Sequence, residues 1–301
     1  MILTPRSPGE PPFTIAKLNR TESGPTVTEI KRLHYDDYTV LKKACVRIDD
    51  FHATSDIYKI VQDNFAELDN LLHRIVRHRP PPEQEAVRRP VLRAVVNVAS
   101  SFRMFADHLD RESKARLGEK YAAQVKTALS REYDASLSYR LCYELRNHAA
   151  HVGFPSLRTQ VRSALKDDAR LSSVAHTDES GVWVGILVEI NKEKLLSDGR
   201  LKAAVRDEVR SLEGALELVG HLRNAVDGLE RVHARYDDAR AAVLAPDLSR
   251  LVDSIPPECV DKEEDVRLYE PPEPTGTGEG NFRVSYTRYP MTRLRAYWQM
   301  R

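Results

Sequence analysis

The chain has 301 residues, 41% hydrophobic and 30% charged, enough to bury a sizeable core in one large or two smaller domains. No run of about 18 apolar residues is present to span a bilayer, and a net charge of +1 excludes a globally basic nucleic-acid binder, so any RNA contact must come from a local patch. Three isolated cysteines, Cys45, Cys142 and Cys259, and an N-terminus without the apolar core of a secretion signal point to buried thiols in a soluble, cytoplasmic protein with no membrane partner.

Residues 1–34 read as a flexible N-terminal arm, because Pro5, Pro8, Pro11, Pro12 and Pro25 stand among Gly, Ser and Thr with too little apolar surface to offset ordering. From Thr28 to Ala44 the pattern leaves helix and strand both open. Thr54-Ser55-Asp56 then offers a helix cap, and Ile57, Ile60, Val61, Phe65, Leu68, Leu71, Leu72 and Ile75 follow at three- and four-residue spacings. This helix runs into a basic stretch with Arg74, Arg77 and Arg79, is stopped by Pro80-Pro81-Pro82, and basic residues resume at Arg88 and Arg89. Such a cluster serves the helix dipole or forms a phosphate-binding rim.

A second helix is expected after Pro90, ending near Gly118, and a third from Glu119 to about Arg131. A fourth carries Leu137, Leu141 and Leu145 every four positions and is closed by Gly153 and Pro155. Four amphipathic helices joined by short connections hide their apolar stripes only against one another, so residues 35–155 read as a helical bundle.

The last turn of that fourth helix is unusual. Arg146, Asn147, His148 and His151 crowd into six residues. Asn147 and His151 share a face, and Arg146 lies about 140° around from His151 on a regular helix. Arg47 to His52, Arg103 to His108 and Arg170 to His176 show the same or similar spacing, but Ile48, Met104 and Leu171 follow those arginines where Asn147 follows Arg146.

An Arg, a polar neighbour and a His four residues further on, at the end of a bundle helix, resembles the motif of the HEPN family. The resemblance covers roughly residues 53–155. It implies an all-α HEPN-like four-helix bundle and a metal-independent endoribonuclease without cofactor, of the toxin or phage-defence kind. His151 would then be the general acid or base, Arg146 would brace the phosphorane, and Asn147 would orient the phosphate or His151. The family usually composes its site across a two-fold axis, so a homodimer is implied, with RNA as substrate and an antitoxin protein as a further partner. Arg74, Arg77, Arg79, Arg88, Arg89 and His148 would form the RNA-binding rim. Two alternatives stand beside this reading. Arg146 and His151 cap helix carbonyls, as cations in a last turn ordinarily do, or the chain is a non-catalytic HEPN-like nucleotide-binding or protein-interaction module.

Residues 156–240 read as a β-hairpin and a long helix packed on the bundle. Leu157–Leu165 and Val182–Ile190 are rich in β-branched residues around a turn at 177–181, and a helix from about Gly199 to Arg240 would approach ~60 Å, long enough for dimer packing. Residues 241–301 carry Pro256-Pro257, an acidic run and a Pro- and Gly-rich stretch, expected as a linker, before a basic aromatic tail. No phosphate-binding loop, zinc-protease or serine-esterase motif occurs.

Overall fold

The computed structural model describes residues 11–78, 83–151, 157–164, 174–177, 183–197, 199, 201–262, 264–271, 273–274, 282–283 and 285–299. It is mainly helical with small antiparallel sheets. In chain order the elements begin with β1 (Phe13–Thr21), β2 (Gly24–Leu33), α1 (Tyr35–Asp50), α2 (His52–Arg77), α3 (Gln84–Glu112), a π-helical turn (Ser113–Leu117), α4 (Glu119–Ala135) and α5 (Leu137–His151). Then come β3 (Leu157–Ala164), β4 (Val174–Thr177), β5 (Trp183–Ile190), α6 (Lys192–Leu196), α7 (Ala203–Ser211), β6 (Leu216–Glu217) and α8 (Leu218–Asp253). The chain closes with α9 (Pro257–Asp261), β7 (Val266–Tyr269), β8 (Glu273–Pro274), β9 (Phe282–Arg283), β10 (Tyr286–Arg288) and α10 (Met291–Gln299). Two compact units result: residues 54–239, and a second made of residues 1–53 with 240–301.

The 54–239 unit is built on the expected helices, with two changes of boundary. α3 starts at Gln84, so Pro90 lies inside it; the proline ring removes one donor there, and a bidentate Arg88–Glu85 pair supports the same turn. α4 runs to Ala135. α2 and α3 pack antiparallel, since Thr54 meets His108 and Tyr58 meets Phe105. β3 and β5 pair as expected, from Leu157 opposite Ile190 to Ala164 opposite Trp183, while β4 adds a third strand on the other edge of β5. β5 is central, and Val184, Ile186, Leu187 and Val188 are all buried, as a strand covered on both faces requires.

The long helix expected from Gly199 does not form in one piece. α7 ends at Ser211, Leu212 after it is extended, and Gly214 takes φ +72, the left-handed region a glycine enters without steric cost. The continuous helix starts only at Leu218. The dimer argument from the length of a 199–240 helix therefore falls. α8 is instead a central packing element of this unit: Val219, Leu222, Leu229, Val232 and Tyr236 are fully buried. It touches α2 through Arg223–Asp69 and His233–Tyr58, α4 through Arg231–Glu132, and α5 through His221–Ser138.

The second unit overturns two readings. Residues 13–33, expected as a flexible arm, are strands β1 and β2, and the 28–44 stretch is strand to Leu33 and helix from Tyr35. The reason is remote: a two-stranded hairpin is marginal alone, but β7 pairs with the other edge of β1 to give the order β10-β7-β1-β2. Ile15 and Ala16 thereby become fully buried. Residues 241–301 are likewise more than linker and tail. α8 continues through Pro246 to Asp253, and Pro257 occupies the first turn of α9, where its missing N–H costs nothing. Tyr289 of the basic aromatic tail is buried, with its hydroxyl 3.1 Å from Ser254 Oγ, and Arg267 lies 4.1 Å over the Tyr286 ring. Most of the glycine-rich stretch lies outside the described residues.

Candidate active site at the end of helix α5

α5 forms where the sequence places it. Ser136 caps it, its Oγ accepting the Tyr139 N–H at 3.2 Å, and Leu141 and Leu145 are fully buried. Burial extends well beyond the leucine stripe. Tyr139, Cys142, Arg140, Glu144 and His148 are each less than a tenth exposed, so the helix is enclosed around most of its circumference.

The second buried stripe is polar: Arg140, Glu144 and His148 recur every four residues. Arg140 donates to both carboxylate oxygens of Glu208 on α7 at 2.6 and 2.7 Å, and to the carbonyls of Tyr133 and Asp134 at 2.5 and 2.6 Å, which satisfies the open C-terminal end of α4. Lys202 Nζ lies 3.9 Å from Glu144 and donates to the Tyr133 hydroxyl at 2.6 Å. On a third face Tyr143 packs edge-on against Phe102 and lies under the Arg103 guanidinium at 4.1 Å, with burial pushing its phenol up to about 12. Near the helix start, Ser138 Oγ is 2.9 Å from His221 Nδ1, and burial holds that imidazole below its ordinary range.

Against this enclosure Arg146 is the first exposed side chain along α5. Neither Arg146 nor half-buried Asn147 has a hydrogen-bond or ion-pair partner among the described residues. α5 ends at His151, so the Arg-Asn-x-x-x-His motif lies on one continuous helix; the His151 side chain lies outside the described residues.

The other arginines at this spacing are engaged elsewhere. Arg103 pairs with Asp107 at 2.8 Å and covers Tyr143, while His108 bonds Thr54 at 3.1 Å. Arg47 pairs with Asp247. Arg170 lies outside the described residues, and His176 is on strand β4.

Of the expected RNA-binding rim, Arg74 and Arg77 are exposed in the last turn of α2 and Arg89 is exposed in α3. Arg88 is tied to Glu85, and Arg79 lies outside the described residues. No bond among the described residues joins these arginines to α5. His148 needs correction, since it is buried at 7% exposure on the Arg140 and Glu144 face and cannot meet RNA from solvent. The four-residue recurrence of Arg140, Glu144 and His148 was a visible signal for that packed stripe, hidden because polar residues ordinarily mark a solvated face. Among the described residues no group of three or more His, Cys, Asp or Glu stands ready to hold a metal ion. Comparison with protein-family models, curated proteins and solved structures finds no match for this chain.

Proposed function

We propose that the chain is a metal-independent endoribonuclease of the HEPN type, acting as a homodimer with one Arg146 and one His151 from each protomer at a shared site. The observation that carries this reading is the state of Arg146: a mostly buried helix delivers it to solvent with no partner among the described residues, while Arg47 and Arg103 at the same spacing are committed to structural pairs. An uncommitted guanidinium is available to a phosphate, which it matches in geometry and charge. Exposed Arg74, Arg77 and Arg89 would add backbone contacts.

In this mechanism one imidazole takes the proton of a ribose 2′-hydroxyl. The 2′-oxygen attacks phosphorus, Arg146 braces the extra negative charge, and the bond to the 5′-oxygen breaks as the second imidazole protonates it. The products are a 2′,3′-cyclic phosphate and a free 5′-hydroxyl. Regulation by a protein antitoxin would suit a toxin or phage-defence role.

The test is incubation of the purified protein with single-stranded RNA in EDTA. Cleavage with cyclic phosphate ends is expected, and His151→Ala should cost at least about a hundredfold in rate. Persistence of cutting in His151→Ala, or its loss with EDTA, would remove the mechanism. Absence of cutting by the unaltered chain on any RNA would favour a non-catalytic interaction module.

A further inference from the structure

A groove of about 530 Å³ runs between α4 and α8, lined by none of the residues of the α5 motif. Arg131, Gln124 and Thr127 line it from α4, and Arg235 and Asp238 from α8; the small side chains of Ala123 and Ala128 leave the space between them. Two guanidiniums from different helices thus border one concave surface.

The charges around it decide what they are free to do. Glu132 is the carboxylate nearest Arg131, at 3.8 Å, but Arg231 already holds it by two bonds of 2.7 and 3.1 Å. Arg131 is therefore left largely uncompensated. Among the described residues Arg235 pairs with Asp238 alone, at 3.6 Å, and both are about two thirds exposed or more, where an ion pair contributes little. Gln124 has no hydrogen-bond partner among the described residues. Thr127 donates its hydroxyl proton to the Ala123 carbonyl at 2.8 Å, which fixes its oxygen as an acceptor.

We propose that this groove is a binding site for a small phosphate monoester. Two guanidinium forks match the terminal oxygens of one phosphate, the Gln124 amide can donate a further bond, and Thr127 and Asp238 present acceptors to hydroxyls of the esterified group. The volume is that of a small-molecule site. The lining carries two positive charges and one negative, which suits a single phosphate, and α8 also exposes Asp227 and Glu230, which disfavours a long polyanion. The site is independent of the proposed ribonuclease reading and does not involve its residues.

The test is calorimetric titration of the full chain with inorganic phosphate and with glycerol 3-phosphate at constant ionic strength. Saturable binding is expected, tighter for the ester. Arg131→Gln and Arg235→Gln should each weaken it roughly tenfold or more, the loss of one charge-assisted pair, while Lys120→Gln elsewhere on α4 should leave it unchanged. Circular dichroism checks that the exposed arginine variants stay folded. No saturable binding, or an equal loss in Lys120→Gln, overturns the proposal. So does displacement of phosphate from the groove by a short oligoribonucleotide that binds more tightly than the ester, since the groove would then be a nucleic-acid contact.

Discussion

Each of the two units is organised internally in its own way. In residues 54–239 the packed helices α2 to α5 follow one another along the chain, so partners such as Thr54 and His108, or Tyr139 and Phe102, come from consecutive or near-consecutive helices, and the remote α8 packs onto that local frame, as Arg223 does with Asp69. In the other unit the partners are remote: Lys17 pairs with Glu264, 247 residues away, and β1 is completed by β7. Ion pairs also stand at both ends of β7, Lys42 of α1 with Glu270 just after it and Arg267 with Asp265 just before it. The contrast teaches that helical periodicity reports local packing well and says little about a sheet assembled from both ends of a chain.

The largest expected effects come from the cores. Leu229→Ala and Leu268→Ala each empty a fully buried position, one in each unit, and should cost about 2–5 kcal/mol. The chain's two tryptophans, Trp183 on β5 and Trp298 on α10, give each unit its own fluorescence probe when the other is replaced by Phe. In urea, Leu229→Ala should move the Trp183 transition and Leu268→Ala the Trp298 transition. If both transitions always move together, the units are one cooperative block and the contrast collapses.

Next, Arg140→Ala should destabilise the 54–239 unit by about 2–3 kcal/mol, because it orphans two carbonyls and part-exposed Glu208. Arg146→Ala, six residues on, should change stability by less than about 0.5 kcal/mol. Equal losses would mean that Arg146 has a structural partner. Gly228→Ala tests how closely α8 approaches its neighbours. An added Cβ would stand 3.2 Å from Glu132 Oε2 and Tyr139 Cδ2, and Arg231 holds that carboxylate in place, so the usual helix gain of about 1 kcal/mol should reverse to a loss of about 1 kcal/mol. A stabilised Gly228→Ala would show that the helices can part at that point.

The smallest effect is the order of acid sensitivity. Burial holds His108 and His221 below their ordinary range, so the unfolded chain takes up protons first; the stability they contribute is full above about pH 6.5 and falls as pH drops through that value. In the other unit a hydrogen bond from Lys17 lowers Glu264, one from Arg267 lowers Asp265 and one from Lys42 lowers Glu270. Their contribution is full above the ordinary carboxylate values of about 4 and is lost only below them. The Trp183 transition should therefore weaken before the Trp298 transition as pH is lowered from 8 to 3. The reverse order would contradict the assignment of these groups.

The sequence by itself determined the helices from 54 to 151 and the strands 157–164 and 183–190, because a 3.6-residue or two-residue recurrence of apolar side chains is written into neighbouring residues. It also marked Arg146, Asn147 and His151 as unusual company for a helix end. Tertiary structure alone decided the rest. It placed Arg146 in solvent and His148, two residues and about 200° around the helix, in the packed Arg140 and Glu144 stripe, a choice between two faces that polarity cannot make. It turned residues 13–33 from an arm into strands, and it broke the 199–240 helix at Gly214 while carrying α8 on to Asp253. The physical reason is the same in each case: whether a strand forms or a polar side chain is buried depends on the surface supplied by partners remote in the chain, and no local pattern contains that free energy.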